Sequence, residues 1–135
     1  MELKVHHIGY AVPDLDRAIA EFMALGWSVS SVVTEDALRQ VRIAFIKLGE
    51  SVVELVAPTA QTSPITKQLA KGSGAPYHIC YEVASLEEAE AYLKTKKFIV
   101  FKKPAVAPAI GNRRVEFLYA KGVGVIELVE ENHDN

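Results

Sequence analysis

The sequence predicts an α+β fold in which two tandem β-α-β-β-β modules make up one domain of 135 residues. Three observations predict it. First, residues 6–12 (HHIGYAV) and 77–83 (YHICYEV) repeat one pattern; with His7 set on His78, the His, Ile, Tyr and Val letters coincide. Second, each stretch runs into a short acidic turn and an amphipathic segment, PDLDRAIAEFMALGW and ASLEEAEAYLKTKKF. Third, each half closes on two apolar runs joined by a glycine turn, VRIAFIKLGESVVELVA and RVEFLYAKGVGVIELVE. Module one spans residues 4–57, a linker 58–76, and module two 77–130.

Each element has its own justification. On the opening strands the period of two puts His7, Gly9 and Ala11 on one face, and likewise His78, Cys80 and Glu82. Ile8, Tyr10, Val12, Ile79, Tyr81 and Val83 face the other way, toward the helices. Asp14 and Ser85 are N-caps. Ala18, Phe22 and Leu25 form the apolar stripe of the first helix; Leu86, Ala89 and Leu93 form that of the second. Trp27 and Phe98 open the strands that follow. Tight turns fall at Gly49-Glu50 and at residues 122–124. The linker is rich in Pro, Gly, Ser and Thr, with SPITKQLAKG read as a short helix inside it. Pro104 and Pro108 bracket an irregular stretch before Gly111. The ENHDN tail, with His133, is polar.

Composition narrows the function. Half the residues are hydrophobic and 24% are charged, enough apolar side chain for a core. The net charge of −2 argues against a nucleic-acid partner. No apolar run reaches the length of a membrane span, and Glu2, Lys4 and His6 interrupt any signal-like segment. The single cysteine, Cys80, sits in a strand-like run and reads as a buried thiol of a reducing compartment. The expectation is a cytoplasmic protein that acts on a small molecule.

Four residues stand out. Each half offers one His on its first strand and one Glu on its last: His7 with Glu54, and His78 with Glu127. Glu54 lies inside VVELV and Glu127 inside VIELV, runs apolar at both parities and therefore buried on both faces. A buried carboxylate costs several kcal/mol unless it is paired or bound to metal. One divalent ion accounts for both glutamates and both histidines, and the N/O donor set suits Zn, Ni, Co, Mn or Fe. The ordinary alternatives are hydrogen-bonded strand histidines and glutamates that reach solvent or pair with Arg42, Arg113 or Arg114. His6 faces away from His7 and reads as surface.

With these residues the chain resembles the vicinal oxygen chelate superfamily, which includes glyoxalase I, methylmalonyl-CoA epimerase, extradiol dioxygenases and bleomycin-resistance proteins. HHIGYAVPDLDRAIAEF, SVVELVAP, SPI, YHICYEV and GVIELVE carry the resemblance over residues 4–130, and the epimerase-like and small bacterial glyoxalase-like members are the nearest in pattern. The resemblance implies eight strands curled around one metal held by His7, Glu54, His78 and Glu127. It implies a metal-dependent isomerase or epimerase that removes an α-proton beside a thioester or hemithioacetal. Glu127 is the first choice as base and Glu54 the second. Lactoylglutathione lyase is the alternative activity, and a non-catalytic binding protein of the bleomycin-resistance kind is a further one. The resemblance also implies a homodimer. Two segments depart from the epimerase pattern: YAKGVG stands in place of an HPKS-like segment, and PAIGNRR in place of a GAHG-type loop. Arg42, Asn112, Arg113 and Lys121 are the candidates for holding an anionic substrate.

Overall fold

The computed structural model describes residues 2–69 and 71–132, so His133 lies outside the described residues. These contain nine strands and two α-helices. In chain order they are β1 (Lys4–Ala11), α1 (Leu15–Ala24), β2 (Ser28–Val29), β3 (Thr34–Asp36), β4 (Val41–Leu48), β5 (Ser51–Pro58), β6 (Ala75–Val83), α2 (Leu86–Thr95), β7 (Ile99–Ala107), β8 (Arg113–Ala120) and β9 (Gly124–Glu130). Among them no helix is long and apolar enough to cross a membrane.

The chain forms two compact units, residues 7–77 and residues 78–135 together with 1–6. In the unit of residues 7–77, β1 runs parallel to β5 and β5 antiparallel to β4, and both β2 and β3 pair with β4. Gly49, at φ +60°, makes the turn between β4 and β5, a conformation that costs glycine little. Asp14 caps α1 by accepting the Arg17 N–H at 3.1 Å. The helix lays Leu15 and Ala18 against Ala44, Ile46, Val53 and Leu55, while Ile8, Tyr10, Ile19, Phe22 and Trp27 close the rim. Leu55 is fully buried at the centre of this layer. Leu55→Ala is expected to cost about 2–5 kcal/mol, read as a lower urea midpoint with an unchanged slope.

The other unit repeats the plan. β6 runs parallel to β9, β9 antiparallel to β8, and β8 antiparallel to β7. Ser85 caps α2 by accepting the Glu88 N–H at 3.2 Å, and the Glu130 carboxylate accepts the Leu86 N–H at 3.0 Å. Leu86, Ala89 and Leu93 pack on Val83, Leu118, Ile126 and Leu128, with Leu3 from the N-terminal residues at the edge.

Four local expectations change. The first module has an extra strand: the stretch after Trp27 breaks into β2 and β3. The Ser30 N–H still donates to the Phe45 carbonyl at 2.9 Å, but the Phe45 N–H goes to the Ser31 hydroxyl instead of a backbone carbonyl, which interrupts the ladder. Leu25 is 72% exposed, because α1 ends at Ala24 and Leu25 is its C-cap; Leu15 and Ile19 complete the stripe instead. The linker helix is a 3-10 helix, Pro64–Leu69, anchored by buried Ile65. Pro104 lies inside β7 rather than in an irregular loop. In the order β6-β9-β8-β7 that strand comes last, where a missing N–H is tolerated, and its pairing shifts register on both sides of Lys102.

Candidate functional site

Register decides what each sheet face carries. Gly9 is the Cα partner of Glu54, and Phe45 is the partner of Glu54 on the other side. Directly opposed residues share a face, so Gly9, Glu54 and Phe45 form one row, with His7 two residues before Gly9. Val53, Leu55 and Ala57 turn the other way, under α1. The second unit repeats the row as Cys80, Glu127 and Phe117, with His78 two residues before Cys80.

These rows bury polar side chains in a deliberate pairing. His7, Glu54, His78 and Glu127 are all below a tenth exposed. His7 Nε2 lies 3.4 Å from Glu54 Oε1, and His78 Nε2 lies 3.0 Å from Glu127 Oε1. Two ligands on one ion, with bonds of about 2.1 Å at right angles, stand about 3 Å apart. Each half therefore carries an imidazole and a carboxylate of the kind, burial and spacing that hold a divalent metal ion.

Phe45 and Phe117 adjoin the candidate residues and were not singled out from the sequence. Phe45 stands edge-on to His7 with ring centroids 5.3 Å apart, and Phe117 edge-on to His78 at 6.0 Å. The rings wall each imidazole, limiting its rotation and excluding water from its side. Their signal was present in the duplicated hairpins, where IAFIKL and VEFLYA align Phe45 with Phe117.

The four candidate anion-binding residues scatter. β4 alternation turns Arg42 to the α1 side, opposite Glu54. Arg113 shares the Glu127 face but is committed to the Glu82 carboxylate and, at 2.8 Å, to the Glu130 carbonyl. Asn112 is exposed in a left-handed turn at φ 60°, and Lys121 is exposed in the turn between β8 and β9.

One further buried acid lies behind this face. Glu116 is completely buried on the α2 side of β8, where the first module has Ala44. Burial, and then the neighbouring Glu90 carboxyl, push its pKa up to about 8. The same contact holds the Glu90 carboxyl below its usual value. Among the described residues neither Glu116 oxygen has a hydrogen-bond partner, so burial without compensation favours the neutral carboxyl.

With this geometry in hand, comparison with known proteins is direct. Residues 6–117 match the Glyoxalase/Bleomycin resistance protein/Dioxygenase superfamily. The chain belongs to that superfamily. It is 36% identical to the mitochondrial methylmalonyl-CoA epimerase of Mus musculus over 129 residues, which cover 94% of this chain and 71% of the mouse protein. It is 37% identical to the ethylmalonyl-CoA/methylmalonyl-CoA epimerase of Cereibacter sphaeroides over 93 residues, 67% of this chain and 69% of that protein. Among solved structures, the Streptomyces coelicolor methylmalonyl-CoA epimerase in complex with 2-nitronate-propionyl-CoA superposes with a TM-score of 0.82 at 28% identity, covering 96% of this chain and 95% of that one. The fold is thus that of the superfamily, and the named relatives are enzymes that epimerise.

Proposed function

We propose that this protein is a metal-dependent epimerase acting at the α-carbon of a carboxylated acyl-CoA thioester of the methylmalonyl-CoA kind. The observation that carries the reading is the buried His–Glu couple in each half of a chain whose relatives are methylmalonyl-CoA epimerases. His7, Glu54, His78 and Glu127 together hold one ion of Zn, Ni, Co or Mn. The support is the donor set: two imidazoles and two carboxylates, all buried. A bound divalent ion supplies Lewis-acid stabilisation of the charge that develops on substrate oxygens as the α-proton leaves.

The chain's own residues do the proton work. Epimerisation needs a proton taken from one face of a carbon and one delivered to the other. Two carboxylates, one from each half, provide those roles: Glu127 accepts the proton at a carboxylate oxygen and Glu54 serves the opposite face. Phe45 and Phe117 keep the imidazoles fixed and the surroundings apolar, so that the carboxylates act without competing water. The enzyme works as a homodimer in the cytoplasm, where its buried thiol, Cys80, stays reduced. The exposed apolar side chains Ile99, Phe101 and Val106 of β7 offer surface for the second copy.

Metal analysis of the purified protein is expected to give one ion per chain. In deuterium oxide, the metal-loaded protein is expected to invert methylmalonyl-CoA and label its α-carbon, and to leave a glutathione hemithioacetal unchanged. Conversion of the hemithioacetal alone would assign the lactoylglutathione lyase activity instead. Bound ligand with no label in either substrate would assign a binding protein.

A further inference from the structure

Across the second unit the Glu127 row continues to the last strand. Cys80 on β6, Glu127 on β9, Phe117 on β8 and Lys102 on β7 are successive partners in register. Lys102 reaches that row only through a bulge. Val100 pairs with Leu118 and Lys102 with Phe117, so β7 spends two residues where β8 spends one. In regular alternation Phe101 would stand opposite Phe117, and Lys102 would turn under α2 beside Val100. The bulge puts the charge on the Glu127 face instead: Lys102 Nζ lies over the Phe117 ring, 5.7 Å from its centroid, and the same ring stands against His78. Among the described residues this ring is the partner of the ammonium, and no carboxylate pairs with it.

Among the described residues the first unit has no cation at the matching strand edge. In the first unit the strand edge beside Phe45 is met by Ser30 and Ser31, which satisfy its backbone. A bulge that redirects one side chain next to a site is a costly local feature, and here the side chain it redirects is a solvated positive charge at the border of a buried His–Glu couple.

We propose that Lys102 is a substrate-binding residue that holds an oxyanion of the thioester substrate, an inference that rests on the epimerase reading above. The oxyanion is either the carboxylate of the acyl group or a phosphate of the CoA carrier. Calorimetry with metal-loaded protein tests it, using racemic methylmalonyl-CoA (already at epimeric equilibrium), propionyl-CoA and a methylmalonyl thioester of pantetheine. Lys102→Met is expected to weaken binding about 10-fold or more, and Lys102→Arg to retain it within about threefold. A loss confined to the two methylmalonyl ligands names the carboxylate; a loss confined to the two CoA ligands names a phosphate. In turnover the same variant raises KM and leaves kcat near that of the wild type, and its melting temperature is unchanged. Equal affinity of Lys102→Met and wild type for all three ligands, or no wild-type affinity for any of them, overturns the assignment. Isotope exchange by the wild type is read separately: its absence beside a Lys102-dependent affinity would remove the epimerase reading and leave the oxyanion site standing.

Discussion

Glu127→Gln is expected to lower α-proton exchange by about 10²–10⁴-fold, the range typical for loss of a positioned general base. Gln preserves the volume of the side chain and keeps an oxygen within reach of His78, whose Nε2 is 3.0 Å from Glu127 Oε1. It cannot accept a proton at neutral pH. The fold is therefore expected to stay intact, with a thermal midpoint close to the wild type, while the chemistry fails. Metal content is expected to fall less than activity, because an amide oxygen is a weaker ligand than a carboxylate but still a ligand. Glu54→Gln gives the complementary result. If each carboxylate serves one face of the carbon, deuterium wash-in measured from each pure epimer separates them: one variant loses exchange chiefly from one epimer, the other from the second epimer, and both lose inversion. Unimpaired inversion in Glu127→Gln would remove Glu127 as the base.

The duplicated pattern of buried His and Glu could be read in the letters because regular strands convert spacing into direction. His7 and His78 head matched strands, and the apolar flanks of Glu54 and Glu127 announce burial; all four are buried, paired within their own halves. What escaped depends on register rather than period. Phe45 and Phe117 gain a place only when strand pairing sets them opposite Glu54 and Glu127. For Lys102 a single bulge decides its face. Leu25 fits the helical stripe in the letters, but the helix stops one residue short of it. The break between β2 and β3 depends on a serine hydroxyl replacing a carbonyl, a substitution no hydropathy pattern records. Arg42 and Arg113 show the remaining difficulty: charge alone does not tell a ligand-binding cation from one turned to the opposite face or committed to Glu82.

Glu116 gives the second large effect, and its sign follows from linkage. Its carboxyl is raised from 4.5 to about 8 in the folded chain, with burial the largest cause and Glu90 the next. The charged groups around it are Glu87, Glu90 and Lys94 on α2 and Arg114 on β8, where Arg114 also binds Glu87 and approaches Glu130. A group whose pKa rises on folding contributes its stability fully below the unfolded pKa and loses it as pH climbs through the folded one. Wild-type stability is thus expected to decline between about pH 4.5 and pH 8 and then level off, relative to a chain without this acid. A tenfold change in a proton-binding equilibrium is worth about 1.4 kcal/mol, so the effect is on the order of a few kcal/mol; Glu90, whose carboxyl is lowered, is ionised in both the folded and unfolded chain over this window and leaves it unchanged. Glu116→Gln reproduces the protonated form, since its amide is neutral at every pH. It is expected to match the wild type near pH 5 and to exceed it at pH 9, with the urea midpoint as the readout. Ala44 shows that the module accepts a small apolar residue at this position, so Glu116→Ala separates charge from volume: it removes the pH dependence as Gln does but adds a cavity cost at all pH values. Parallel stability curves for wild type and Glu116→Gln across pH 5–9 would mean that Glu116 is not the proton carrier beneath α2.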